Sequence, residues 1–576
     1  MPRTQAPTAL AKTPKRTPVE RPFFRTAYLL CSRIFMPGRS KYSAEVVVIG
    51  AGLAGMVTAL ELLDAGKRVV MLDAASRDRI GGLAVWSFGG IFFVDSPEQR
   101  KNGIKDSVDL AMRDWVRYGE LDPNDIWPYR WAEAYVHRCT EEVRDWLAAR
   151  DVSFFRAVNW TERGYFVPGN SVPRFHIVWG TGQGIVLPLI PRLEAHEKAG
   201  LLELHFDHKV DGLTRERGQV VGCHGTHGAG SFEALGDAIV IAAGGIAGNH
   251  DKVREVWPRD QWGEPPEPML NGSIPEADGK LLERVAELGG NVTHLEKMWN
   301  YAAGVRHWEP LFPNQGLSMV PGKSALWLNY EGRRFVDPPL VGSYDTLLLV
   351  DRICQEKKKY SWQVMNRKIA NKEFAISGAE FNQAVREKKM MAFLVRLLQG
   401  NGEQVQEFID HCPDFVTAGS VPELANKMNA LAGSKDVDAQ LLEREISDYD
   451  ANIARGSKFQ NDDQLRRIAH VRQYLGDRLR TCNMAPILDP DAMPLIAIRT
   501  QILTRKSLGG IQVDLDAKVL DTHGNAIPNL FAVGEACGFG GGGMHGKRAL
   551  EGTFLGGCVY SGRVAARAIQ SGKGVR

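Results

Sequence analysis

Between Gly538 and Gly557 the chain reads GFGGGGMHGKRALEGTFLGG, with nine glycines in twenty residues and His545, Lys547, Arg548 and Glu551 set among them. Glycine gives up more backbone entropy than any other residue, so such a run implies that something lies close against the main chain. The titratable residues beside it are of the types that polarise a carbonyl or move a proton. The helical, small-residue spacing that follows Glu551 puts a helix N-terminus at the end of this loop. Its free amides would stabilise negative charge on whatever lies there, and Thr553, Phe554 and Leu555 are the candidates to supply them.

A second glycine motif near the start says what that something is. In AEVVVIGAGLAGMVTALELLDAGKRVVMLDAASRD, an apolar run over Glu45–Ile49 predicts a buried parallel strand. Gly50, Gly52 and Gly55 form GxGxxG, a helix follows from Leu53, and a second strand over Val69–Leu72 ends at Asp73. This is the context of a dinucleotide site: glycines for the turn, the pyrophosphate and the helix packing, and a carboxylate for the ribose hydroxyls. GFGGGG fits the same expression, but no βαβ unit follows it.

The choice between NAD and FAD rests on the next segment. RIGGLAVWSFGGIFF places Gly81-Gly82 and Gly89-Gly90, with Ser87, directly after the second strand. A nicotinamide enzyme normally continues into further βα units; flavoproteins use such a stretch beside the isoalloxazine. The strand DAIVIAAGGIAG and the late strand NLFAVGEA fit the same cofactor. FAD contacts are therefore expected from Gly50, Ala51, Gly52, Ala54, Gly55, Asp73, Gly81, Gly82, Ser87, Gly89, Gly90, Val210, Ala243, Gly244, Asp278, Gly534, Glu535, Thr553, Phe554 and Leu555, with the glycines at 540–543 lying against the ring.

Together these motifs resemble the fumarate reductase and succinate dehydrogenase flavoprotein superfamily, closest to its 3-ketosteroid Δ1-dehydrogenase-like group. EADGKLLERVAELGGNV, with Asp278-Gly279, and LWLNYEGRRFVDP also match in order, and the resemblance spans Glu45 to Ile569. It implies an α/β fold: a Rossmann-like FAD-binding domain interrupted by an α+β substrate-capping domain. The departures narrow the activity. The histidine that links FAD covalently in respiratory members is Leu83 here, so non-covalent FAD is expected. The dicarboxylate histidine is replaced by Lys506, an arginine by Ala549, and the proton-donating arginine by Tyr344. Ketosteroid enzymes carry a catalytic tyrosine in that turn, but their terminal tyrosine has no counterpart in KRALEGTFLGG.

The resemblance implies hydride transfer from a carbon–carbon bond next to a carbonyl to flavin N5. Tyr344 is then the candidate acid or base, Lys506 or Arg548 the carbonyl or carboxylate clamp, and His545 a further catalytic candidate through a flavin or substrate contact, or else a cap of the glycine loop. Arg548 and Glu551 are also spaced to pair, i to i+3, and His176 reads as a structural histidine. A reductase of unsaturated acids and a non-catalytic electron-transfer subunit are the competing readings. Expected partners are a hydrophobic ketone and a separate electron acceptor. Nothing in the body of the chain favours nucleic acid.

Expected domains are a basic, disordered extension over 1–43, FAD-binding segments over 44–291 and 491–576, and a cap over 292–490. Residues 1–43 carry nine Lys/Arg against Glu20, a net of +8, leaving −5 for the rest of a chain whose total is +3. That arm suggests a membrane-surface tether or targeting peptide, and Met36 offers a later start. No apolar run reaches the length of a spanning helix. The eight cysteines form no CxxC pair, which fits a reducing, cytoplasmic setting.

Overall fold

The computed structural model describes residues 39–228 and 230–572, and Arg39 onward forms one compact unit. Residues 1–38 of the basic arm lie outside the described residues. The last part of the expected disordered extension is ordered: Arg39–Ser43 is a strand, paired in parallel with Gly230–Leu235 in a four-stranded sheet.

Val46–Ile49, Val69–Leu72 and Ala238–Ile241 are each four residues long and buried throughout. Burial on both faces is what a parallel strand between helical layers requires, and it explains why these runs are β-branched rather than alternating. They form the centre of a six-stranded sheet in the order Lys518–Leu520, Ala526–Ala532, Ala238–Ile241, Val46–Ile49, Val69–Leu72, Leu202–His205. Every pairing is parallel except the first.

Two glycines let the chain turn above this sheet. Gly50 sits at φ +111°, and a Cβ there would stand 2.4 Å from the carbonyl oxygen of Ala242; one on Gly55 would stand 1.9 Å from that of Gly50. The helix Leu53–Asp64 then packs on Thr553–Gln570, the last helix, where Gly562 admits the carbonyl of Ala54. The two helices flank the same sheet although the sequence separates them by almost 500 residues.

An eight-stranded sheet builds the cap. Its central strand, Leu495–Ser507, pairs with Met298–Arg306 and Tyr360–Asn366, and also with Leu270–Asn271 and Phe415–Ala418. The strand is buried over most of its length because neighbours cover it on both sides, and it ends by carrying Arg505, Lys506 and Ser507 to the FAD-binding sheet. It begins after the boundary expected at 490, so its residues join the capping sheet. Among the described residues, no helix is long and apolar enough to cross a membrane.

Candidate active site

Two cavities meet inside this fold. The first, about 490 Å³, runs along the C-terminal edge of the six-stranded sheet, where doubly wound folds bind nucleotides. Gly50, Gly52, Ala54, Asp73, Gly81, Gly82, Ser87, Gly89, Gly90, Val210, Ala243, Gly244, Asp278, Glu535, Phe554 and Leu555 all line it, and so do Lys506 and Leu83. The second, about 460 Å³, lies under the cap and has mainly apolar walls. Phe88, Phe175, Tyr301, Ser377 and Glu551 line both, which makes the two continuous.

The nucleotide end has the features a pyrophosphate needs. Gly52 precedes the helix Leu53–Asp64 with no side-chain cap, and no atom lies within 4 Å of where its Cβ would stand. The first amides of the helix are left for a ligand. Ala51 acts from behind the loop: its amide donates to Asp73 Oδ2 at 2.6 Å, and that of Ala75 donates to Oδ1 at 2.7 Å. Burial raises the Asp73 carboxyl, opposed by these two bonds. Gly52→Val should fold, because φ is −71° and the space is open. An intruding side chain costs roughly 1–3 kcal/mol, so FAD affinity should fall about 10- to 100-fold, measured by flavin fluorescence titration.

Lys506 enters this cavity from the long cap strand. Its ammonium lies 4.1 Å from the Phe554 ring centroid and 5.5 Å from that of Tyr301. Burial pushes its pKa down to about 8, against the raising effect of Glu551. Glu535, which accepts from the Ser507 amide at 2.9 Å, is pushed up to about 7, chiefly by burial.

The confluence is built by residues to which the sequence gave no catalytic role. Trp299 and Tyr301, two apart on one strand and so on one face, both donate to Glu551 Oε1, at 2.9 and 2.8 Å. Tyr301 is held well above the usual phenol range by burial and by Glu551. Glu162, in the second cavity, accepts from Thr346 Oγ1 at 2.7 Å and from the Tyr118 hydroxyl. Burial, and then Glu551, push its pKa up to about 8. The available signal was the spacing of Trp299 and Tyr301 in MWNYAAGVRHW; nothing local marked Glu162. Phe175 is aimed at both cavities by its neighbour Arg174, which is fully buried and forks onto Asp106, at 2.8 Å for each bond, with Asp114 at 2.6 Å.

Several expected site residues lie elsewhere. Tyr344 is buried against Tyr165, Val341 and Val471, its hydroxyl donating to the carbonyl of Arg467 at 3.2 Å, and it lines neither cavity. Its turn is held by the aromatic pair with Tyr165, which directs the phenol away from Glu551. Arg548 bonds Glu120 and Asp345 rather than substrate or Glu551, and Lys547 pairs with Glu120 at 2.7 Å.

His545 is fully buried, stacked on Trp115, and does not reach the cavity. The Thr553 hydroxyl donates to the carbonyl of Leu550 at 2.6 Å, so it must accept from His545 Nε2–H at 2.8 Å, leaving Nδ1 unpartnered. Burial, then Lys506, hold this imidazole down at about 3. It locks the start of the last helix.

The glycines at 540–543 do not line the FAD cavity. A Cβ on Gly540 would meet Trp131 at 2.6 Å, on Gly541 the backbone of Trp127 at 2.5 Å, and on Gly542 Thr293 at 2.3 Å. What presses on that backbone is the protein's own aromatic wall. Thr553 spends its amide on Leu550, and Gly55 and Gly534 pack beneath the site, so only Phe554 and Leu555 of the expected helix start line the cavity. His176 is structural: Nδ1–H donates to Arg174 and Nε2 accepts from Ser96 at 2.7 Å.

Comparison with known proteins agrees with this geometry. The family model "FAD binding domain" matches residues 45–555. A KsdD-like steroid dehydrogenase of Mycobacterium tuberculosis is 42% identical over 546 residues, covering 91% of this chain and 95% of its own. Among solved structures, a 3-ketosteroid Δ1-dehydrogenase from Sterolibacterium denitrificans superposes with a TM-score of 0.68 at 15% identity, over 92% of this chain and 100% of that one. A flavocytochrome c3 fumarate reductase gives 0.64 at 20%, over 93% and 79%. These last two likenesses concern the fold. The open Gly52 cradle, the Asp73 carboxyl and the lining of the first cavity fit FAD, and Leu83 offers no atom to bond it covalently. The chain belongs to the FAD binding domain family, among the KsdD-like steroid dehydrogenases.

Proposed function

We propose that the protein is an FAD-dependent dehydrogenase of 3-ketosteroid-like substrates that introduces a carbon–carbon double bond beside a ring ketone. The observation that carries this reading is the confluence: an apolar cavity of ligand size opens onto the FAD cavity at Tyr301 and Glu551. Bound FAD supplies the hydride acceptor.

The protein's own residues handle the proton and the charge. Trp299 and Tyr301 occupy Oε1 of Glu551, which leaves Oε2 as the oxygen that takes the proton from the carbon next to the ketone. The hydride leaves from the neighbouring carbon, and the two departures make the double bond. Glu162, protonated at neutral pH because its pKa is about 8, is the acid that donates to the ketone oxygen. Two carboxyls whose environments differ in this way divide the work of acid and base. Lys506, on the cofactor side only, supplies positive charge where hydride transfer leaves negative charge. Reoxidation calls for a separate electron acceptor, and a cytoplasmic location with surface attachment through the basic arm belongs to the same reading.

The test is turnover of 4-androstene-3,17-dione by FAD-loaded protein with an artificial electron acceptor. The expected result is a product with one more carbon–carbon double bond. Reduction of short unsaturated acids with no ketosteroid turnover would overturn the reading.

A further inference from the structure

The second cavity holds four cations that the chemistry at Glu551 does not use. Lys323, Lys372, Arg396 and Arg480 line it, and none of them lines the FAD cavity. They come from four separate segments: Lys323 follows the strand Gly316–Val320, Lys372 sits on the helix Arg367–Glu373, Arg396 on Met390–Gln399, and Arg480 ends Leu475–Arg480. The last two helices pack on each other. Glu373 accepts from the amide of Cys482 at 2.6 Å, which ties the Lys372 helix to the segment just after Arg480.

These charges are not neutralised. Among the described residues, the side chains of Lys372, Arg396 and Arg480 make no hydrogen bond or ion pair, and Lys323 meets only Asp477, at 3.7 Å. Two acids line this part of the cavity, Asp477 and Glu373. Asp477 is already engaged by Arg163, and Glu373 by the Ser324 amide at 2.9 Å, the Ser324 hydroxyl at 2.6 Å and Cys482. Four cations against two acids leave an excess of two positive charges. Arg480 is exposed along the cavity wall, Lys372 and Arg396 are half-exposed, and the Lys323 side chain is 13% exposed, with burial pulling its pKa down. The same cavity carries apolar lining, with Phe155, Trp160, Met319, Phe374 and Ile376.

Cations of one sign gathered around a shared cavity, and left without acidic partners, focus a positive potential into it and draw an anion there. We propose that Lys323, Lys372, Arg396 and Arg480 bind the anionic end of the substrate, so that the preferred ketone is a steroid bearing a carboxylate or sulfate remote from the reacting ring. This deepens the ketosteroid reading above and rests on it. Both anions share the chemistry that arginine and lysine recognise.

The experiment is equilibrium binding to FAD-loaded protein, read by flavin fluorescence, so that it needs no turnover. Three probes are compared: 4-androstene-3,17-dione, a 3-oxo-4-ene steroid with a side-chain carboxylate, and a 3-oxo-4-ene steroid 17-sulfate. The expected result is that at least one anionic probe binds ten or more times as tightly as the neutral one, and that this ratio shrinks as salt rises from 50 to 500 mM. In the double variant Lys372→Gln/Arg480→Gln the ratio should fall to within about threefold of unity. The carboxylate and sulfate arms decide which anion is taken. Equal binding of neutral and anionic probes, or a ratio indifferent to both salt and variant, overturns the inference while leaving ketosteroid turnover intact. Should the variant fold poorly, the salt series on the unaltered protein decides alone.

Discussion

Glu551→Gln should lower kcat with the ketosteroid by about 10²- to 10⁴-fold, the range for loss of a positioned general base, with little change in substrate affinity. The amide is isosteric and can still accept from Trp299 and Tyr301, so the fold and the hydrogen bonds at 2.9 and 2.8 Å should survive. Tyr301→Phe removes one of the two bonds that hold Oε1 while keeping the ring that Lys506 faces. Its effect should be smaller, on the order of 10-fold, and it should fall on kcat rather than KM. Tyr344→Phe should change turnover by less than about threefold, since its hydroxyl bonds only within the cap. Stopped-flow flavin reduction under single turnover checks all three. A large loss in Tyr344→Phe with none in Glu551→Gln would refute the assignment of the base.

The second large effect concerns Lys506, whose pKa of about 8 lies below the usual lysine value of 10.5. The sign follows from burial. The folded state releases this proton at about 8 and the unfolded state only near 10.5, so between those values the unfolded chain binds more protons and stability rises with pH. Activity should move the other way. If the ammonium carries the positive charge beside the cofactor, kcat/KM falls as pH passes through about 8. Lys506→Met should cost roughly 10²- to 10³-fold, the range for one preorganised electrostatic group, and should remove one of the two titrations beneath the alkaline limb, leaving that of Glu162. Lys506→Arg should keep part of the rate and shift the limb upward. Glu162 titrates in the same window, so the limb in Lys506→Met should be shallower than in the unaltered protein, and an identical limb would deny Lys506 its share. Glu551, Arg505 and Glu535 also face the lysine and set its value.

The nucleotide half of the site was legible because its information is local. Gly50, Gly52, Gly55 and Asp73 fall within one βαβ unit, where Gly55 packs on the carbonyl of Gly50, Gly52 stands open before the helix, and the carboxylate is carried by the very next strand. The proposed catalytic half was legible only in Lys506, because its members come from strands and loops far apart in the chain: Glu162, Tyr301, Lys506 and Glu551 come to the two joined cavities only when the capping sheet docks. Lys506 was found because a turn motif beside it survives; Glu162 has no such neighbour.

Two errors share one cause. Tyr344 and Arg548 were placed by their position in a motif, but whether a side chain turns toward a cavity depends on packing, and here Tyr165 and the acids Glu120 and Asp345 claim them. The glycine run was likewise right in requiring close approach and wrong about the partner, since Trp127 and Trp131 arrive from a helix some four hundred residues earlier. By itself the sequence determined the fold class and the cofactor, because periodicity and turn chemistry act over a few residues. Only the tertiary structure decided which acids, which phenol and which cations line the two cavities, because those directions are set by contacts between segments that no spacing along the chain records.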